Sequence, residues 1–515
     1  MHHRRTRSRS NGRSGRTSRT PGNKHTWLSC CARFRFVPPV TLHLSLLLIY
    51  GLILIGIGLW VGRRVRDTND FFVAGRRLKP GLLFSTMLAA NIGAGSTVGA
   101  TELGYRIGLS AWWWVGSAGI GSLVLAFWVG PRMHQLATRH KFKTVGDFLE
   151  HRYDRNVRAV IAVLLWLGTL IILAAQLLAI AFVLNVITGL PQYVGCIIGG
   201  VVIMTYFSAG GLLTSAWVNV IQLCMLLIGF MLVVPFALFQ AGGLETVFTN
   251  TEAIPEYWNF LGGSGGGWIY LPMLVPAFIV SPGLLQKVYG AVDEHTVRRA
   301  VGWTGLVLLL FAFVPTLLGA IARSAYPDLI NPGMALPILL MESLPPLIGA
   351  IGLVALFSAE VSSADAILFM LSTSVSQDLY RRFINREASD SSVLKVARRA
   401  AIGGGTLALL IAIFAKSIIT VMSVFYTLLT VSLFVPIVMG LYIRKIGTPE
   451  VLSAIAAGLA LVVTVEIISI EQTSGVFTSA TLGVIASVTV CMTIWAARRY
   501  LTGSQGSSNP PAARL

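Results

Sequence analysis

Apolar residues in this chain gather into long, nearly unbroken runs rather than recurring at the spacing of an amphipathic helix or strand. Thirteen runs stand out: 42–60, 81–105, 111–133, 157–187, 192–209, 213–240, 268–291, 299–323, 345–378, 398–415, 417–443, 450–470 and 477–497. A helix needs about 20 such residues to cross the hydrocarbon layer of a bilayer. No ten-residue alternation suggests a barrel, and in lipid a helix satisfies its own backbone groups. The pattern predicts an all-α polytopic membrane protein with about 13 transmembrane helices, numbered here as spans 1 to 13. Composition agrees: 55% hydrophobic, 12% charged, mean hydropathy +0.74. Soluble, fibrous, disordered and disulfide-rich secreted classes are excluded.

Charge changes the picture only once it is mapped. Lys+Arg 40 against Asp+Glu 21 gives +19, which in a soluble protein would suggest nucleic acid. Here the cations sit in alternate loops. After span 1 come Arg63, Arg64, Arg66, Arg76, Arg77 and Lys79; after span 3, the cations from Arg132 to Arg158. Lys287, Arg298 and Arg299 follow span 7, and the cations from Arg381 to Arg399 follow span 9. Arg444 and Lys445, then Arg498, Arg499 and Arg514, complete the set. The opposite loops after span 1 hold Arg106, Arg323 and Lys416. By the positive-inside rule the C-terminus is cytoplasmic and span 1 enters from outside, in a plasma (inner) membrane.

A further basic run, from Arg4 to Arg35, precedes span 1 without an acidic residue, and the topology would place it outside. No small-residue cleavage site follows 42–60, so a signal peptide is not the explanation. Residues 1–40 are read as a basic disordered tail or a wrongly assigned start, with the chain proper beginning near Val37 or Val40. A nucleic-acid arm is the minor alternative, and no nucleic-acid partner is expected. Residues 41–500 form the transmembrane domain and 501–515 a cytoplasmic tail. The sequence shows no nucleophile–base set, cofactor loop or metal-ligand cluster, and Cys30, Cys31, Cys196, Cys224 and Cys491 make no disulfide framework. An enzyme is not expected, nor a cofactor.

Two spans are interrupted. Span 2 carries the small, polar stretch Leu88-Ala89-Ala90-Asn91-Ile92-Gly93-Ala94-Gly95-Ser96-Thr97 at mid-depth. Span 7 carries Ser281-Pro282-Gly283, where proline removes a helical N–H and frees carbonyls. Breaks five spans apart are what two inverted five-helix repeats, spans 2–6 and 7–11, would give, with ion and solute sites beside them. Ordinary helix packing is the alternative. In span 9, Ala359, Ser362 and Ser363 share one helical face. Their oxygens suit a hard cation stripped of water, or simply Ser/Ala packing.

From Leu42 to Arg444 the chain resembles the sodium:solute symporter family. The motifs are Asp70-Phe71-Phe72-Val73-Ala74-Gly75-Arg76-Arg77, Ala89-Ala90-Asn91-Ile92-Gly93, Gly210-Gly211-Leu212 with Trp217-Val218-Asn219-Val220-Ile221-Gln222, Ser362-Ser363-Ala364-Asp365 and Asp378-Leu379-Tyr380. The resemblance implies a leucine-transporter-type fold and a secondary active transporter that couples inward sodium movement to uptake of a small organic solute by alternating access. It implies a sodium site of the Ala89, Ile92 and Ala359 carbonyls with the Ser362 and Ser363 hydroxyls, in agreement with the oxygen face above. Sodium is then the coupling ion.

The departures matter as much. Asn219 stands where many members have an Asp associated with sodium, including an additional ion site in some of them. Glu360 stands where relatives have an apolar residue. Intramembrane carboxylates are expensive and usually functional, so Glu360 is a coupling candidate together with Asn219. It could carry a proton in place of sodium, or tie two helices together as a neutral acid. Asp365 and Glu102 are read as structural. Sugar-transporting relatives have Glu and Gln where this chain has Val115 and Ser96; choline transporters have Trp where it has Asn91 and Ser281. Solute contacts are expected at Ser96, Trp112, Phe278, Ser281 and Tyr426, each of which core packing would also explain. A proton-coupled symporter and a transporter-derived sensor are the alternative functions.

Overall fold

The computed structural model describes residues 39–62, 72–207, 212–262, 265–443, 446–468 and 478–505. The basic tail before Pro39, Arg63, Arg64 and Arg66, the Asp70-Phe71 and Gly210-Gly211 parts of the motifs, Arg444 and Lys445, and the end beyond Gln505 lie outside these residues.

Every named element is a helix, and β pairing among the described residues is a single bridge between Leu78 and Ala291. Span 1 is α1 (Pro39–Gly62). Span 2 is split into α2 (Pro80–Asn91) and α3 (Ala100–Ile107), and span 3 into α4 (Trp112–Val124) and α5 (Gly130–His140) by a π-helical turn. A short α6 (Val145–Arg152) leads to α7 (Arg155–Thr188), α8 (Gln192–Phe207) and α9 (Leu212–Gln240). After α10 (Leu244–Thr251), span 7 appears as α11 (Leu271–Val280) and α12 (Pro282–Tyr289). Then follow α13 (Glu294–Phe311), α14 (Phe313–Ala325), α15 (Pro346–Thr373), α16 (Asp390–Phe414), α17 (Ile418–Phe434), α18 (Thr448–Ile467) and α19 (Ser479–Gln505).

Ten helical stretches among the described residues are long and apolar enough to cross a membrane, against the thirteen runs in the sequence. The difference has a local cause. The first run and 192–209 contribute shorter apolar helices, Leu42–Ile57 and Gln192–Thr205. The break in span 2 cuts 81–105, and its second half continues through a tight turn into span 3 as Gly95–His140. That turn needs Gly108, whose φ is +61° and where a Cβ would collide with the Tyr257 carbonyl.

Helix starts follow ordinary rules. Pro80, Pro282 and Pro346 open α2, α12 and α15 at positions where the missing N–H costs nothing. Asp154 and Asp293 accept the first free N–H groups of α7 and α13. For Asp293 those bonds hold the carboxyl below its usual range.

The packing pairs the two repeats as an internal two-fold would. α2 lies against α9 and α11 against α17, the first and last members of spans 2–6 and of spans 7–11. Across the repeats, α4 packs on α13 and α7 on α15. The α4–α13 approach is close because Gly119 and Gly305 face each other, each Cα near the other's carbonyl. α7 and α15 are enclosed within the bundle, whereas α16, α18 and α19 turn most of their apolar surface outward. Exposed side chains such as Phe414 and Met231 would cost about 25 cal/mol per Å² in water. Against lipid they cost nothing.

Candidate functional site

The site begins at the first break. Helical geometry fails at Ile92 (φ −102°, ψ +99°), which ends α2. The chain re-enters helix through the π-helical turn Gly95–Gly99. Its polar groups are taken up locally: the Ser96 hydroxyl donates to the Asn91 carbonyl at 2.8 Å, and Gly93 N–H donates back to Ser96 Oγ at 3.0 Å. Ala94 N–H donates to Gln176 Oε1 of α7 at 2.9 Å. The second break falls at Ser281 (φ −53°, ψ +118°), between α11 and α12.

All five residues expected at the sodium site meet at the first break. Ser362 Oγ lies 2.9 Å from the Ala89 carbonyl and 2.9 Å from that of Ala359. Ser363 Oγ lies 3.1 Å from the Ile92 carbonyl, 3.3 Å from Ala89 and 3.4 Å from Ala90. A serine hydroxyl has one proton to donate. Two protons therefore serve contacts with four carbonyl oxygens. The remaining oxygen–oxygen approaches are uncompensated partial negative charge, at a mid-membrane position and buried. A monovalent cation is what such a cluster can stabilise. Neutral oxygen ligands of this kind suit hard cations, and among the described residues there is no His/Cys/Asp/Glu group of the sort that holds a transition metal.

Beside this cluster a cavity opens between the two broken helices, α4, α7, α15 and α17. Of the expected solute contacts, Ser96, Phe278, Ser281 and Tyr426 line it. Trp112 does not. Its indole N–H donates to the Leu309 carbonyl at 3.1 Å and its rings pack on Phe260 and Phe313. Trp114 takes the expected place, edge-on to Tyr426 with ring centroids 6.1 Å apart. Residues two apart on a helix point to nearly opposite sides, so the Trp-rich start of α4 offered two registers. The positions at which the sequence departs from sugar and choline transporters, Asn91, Ser96, Val115 and Ser281, are all on the cavity wall.

Glu360 is fully buried and accepts the Thr97 hydroxyl at 2.8 Å through Oε1; Oε2 has no hydrogen-bond partner among the described residues. It does not line the cavity. Asn219 is also fully buried and donates to Thr86 Oγ1 at 3.0 Å and Ser215 Oγ at 3.3 Å.

Gln176 and Lys287 escaped the sequence reading. Lys287 was grouped with the cytoplasmic cations, yet it is 1% exposed, lies on α12 and lines the cavity. The signal was present: an ionisable residue inside the apolar run 268–291 marks function by default. Arg158, grouped likewise, is buried too. It pairs with Asp147 at 2.9 Å, Glu150 at 2.9 Å and Asp378 at 2.7 Å, and Arg382 also binds Glu150. This network ties α6, α7 and the extension of α15 together beneath the cavity.

Two broken helices around a mid-membrane cavity, with an oxygen cluster at one break, define the class: a secondary transporter built on an internal repeat. A sequence model of the sodium:solute symporter family matches residues 71–458. The chain belongs to that family. It is 27% identical over 403 residues to the sodium/glucose cotransporter of Vibrio parahaemolyticus, covering 71% of this chain and 73% of that one. It is 26% identical over 449 residues to the sodium/pantothenate symporter of Escherichia coli (strain K12), covering 82% and 90%. A solved Na+-coupled sialic acid symporter, in a substrate-bound outward-open state, superposes with a TM-score of 0.74 at 18% identity, over 92% of this chain and 99% of that one. The fold is of the leucine-transporter type, and the protein is a membrane transporter, not an enzyme.

Proposed function

We propose that this protein couples inward Na+ movement to uptake of a small organic solute by alternating access. The observation that carries the proposal is the crowding of the Ala89, Ala90, Ile92 and Ala359 carbonyls around two serine hydroxyls at the break of span 2. In this reading Na+ binds among the Ala89, Ile92 and Ala359 carbonyls and the Ser362 and Ser363 hydroxyls. It thereby joins α2 of one repeat to α15 of the other. An ion that binds one arrangement of these helices better than another shifts the equilibrium between outward- and inward-open states, and solute binding is linked to it reciprocally.

The solute site is the adjoining cavity, with Ser96, Phe278, Ser281 and Tyr426 as contacts. Its walls are mostly apolar with scattered neutral polar groups, which supports a small neutral or zwitterionic solute. Asn91 Nδ2, on that wall and without a hydrogen-bond partner among the described residues, supplies a donor for a solute carbonyl or carboxylate. The proposal includes thirteen spans, the start of span 1 outside and the C-terminal tail cytoplasmic, in the plasma membrane. It also includes the division into a tail of residues 1–40, a symporter domain of 41–500 and a tail of 501–515.

Proton coupling through Glu360 is the second reading, favoured by its buried, half-partnered carboxyl. Uptake by proteoliposomes, screened over amino acids, carboxylates, sugars and quaternary amines, separates the two. An inward Na+ gradient should drive uptake, and Ser362→Ala with Ser363→Ala should abolish that dependence. Uptake driven by a proton gradient without Na+ would select the second reading.

A further inference from the structure

Lys287 ends in a nest of oxygens. Its Nζ donates to the Thr86 carbonyl at 2.9 Å, and the Asp365 carboxylate attracts it through space. Asp365, 3% exposed, accepts a hydrogen bond from the Ser215 hydroxyl. Asn219 fixes the Thr86 and Ser215 hydroxyls with its amide hydrogens. Asn219 Oδ1 and Asp365 Oδ2 are left with no hydrogen-bond partner among the described residues.

This second cluster repeats the parts of the sodium candidate. Thr86 precedes Ala89 by three residues on α2, and Asp365 follows Ser363 by two on α15. Each cluster combines an α2 main-chain carbonyl with side-chain oxygens of α15. In the first, no cation of the chain is present. In the second, α12 delivers one from the far side of the other break. A lone carboxylate buried here would be strongly unfavourable, and the ammonium offsets it.

We propose that the Lys287 ammonium is a built-in monovalent cation occupying what would otherwise be a second sodium site, formed by the Thr86 carbonyl, Asp365, Asn219 Oδ1 and Ser215 Oγ. The chain then binds one Na+ where a lysine-free version would bind two. This rests on the sodium assignment at Ser362 and Ser363. It also gives Asp365 a role that packing alone does not, and it explains how Asn219 serves without a negative charge: the tethered ammonium needs no second carboxylate. Because Lys287 also borders the solute cavity, the cation bridges the two broken helices at the place where they must move apart.

The test is equilibrium binding of radioactive 22Na+ to the purified full chain. The native protein should bind one Na+ per chain. Lys287→Ala, which removes the ammonium and opens its volume, should bind two, and Lys287→Ala with Asp365→Asn should return to one. Two Na+ on the native chain would overturn the inference, as would a single Na+ of unchanged affinity on folded Lys287→Ala. If Lys287→Ala does not fold, the native stoichiometry still decides, and Lys287→Arg should keep it at one. No saturable Na+ binding to the native chain would be a different failure, that of the sodium assignment itself.

Discussion

At Ser363 one hydroxyl proton faces three carbonyl oxygens within 3.4 Å. Truncating it to alanine removes a ligand that a bound cation would use. A hydrogen bond or ligand of this kind contributes about 1–2 kcal/mol, roughly a tenfold change in an equilibrium constant. Ser363→Ala should therefore raise the half-saturating Na+ concentration for uptake about tenfold, with little change in apparent solute affinity at saturating Na+. Gly93→Ala should do more: a Cβ there overlaps Ser363 Oγ and comes 2.9 Å from Gln176 Oε1, so Na+ dependence should disappear. Uptake titrated against Na+ checks both. The serine pair was legible in the sequence because i, i+3, i+4 spacing fixes a helical face locally. Lys287 was not, because a basic residue near the end of an apolar run reads equally well as a loop charge. Its burial is decided by α2 and α15, which are distant in sequence. Trp112 and Trp114 failed for a subtler reason: adjacent aromatic residues leave the helix register open.

At the scale of elements, the breaks at Ile92 and Ser281 divide spans 2 and 7 and free backbone groups inside the membrane. Both were visible from Pro282-Gly283 and the small, polar stretch around Asn91. What holds the first break open was not. Gln176 lies in the middle of the 34-residue α7, where nothing in an apolar sequence announces that it will accept the Ala94 N–H. Gln176→Leu strands that N–H, which costs about 1–3 kcal/mol when buried. The variant should show a lower Tm, and Gln176→Glu, which keeps the acceptor, should recover most of the loss. Equal Tm values for the leucine variant and the native protein would remove Gln176 from the account. The span count differs for a related reason. A helix that breaks and then turns at Gly108 has no single length to compare with the bilayer.

Across the whole molecule, the distribution of Lys and Arg carried the topology and the apolar runs carried the class. Only the buried cations Lys287 and Arg158 were misplaced by that count. The orientation predicts that, in a cysteine-free background, Lys416→Cys reacts with a membrane-impermeant thiol reagent on intact cells. Arg498→Cys should react only after permeabilisation, and the reverse pattern would invert the molecule. The central claim is that Na+ binds at the break of span 2. A ligand that binds the folded state stabilises it by RT ln(1 + [L]/Kd), so the most direct measurement is the Tm of the purified protein titrated with NaCl at constant ionic strength. Na+, and neither K+ nor choline, should raise Tm saturably in the native protein, and the increase should vanish when Ser362→Ala and Ser363→Ala are combined. A folded double variant with the same Na+ midpoint as the native protein would contradict the account.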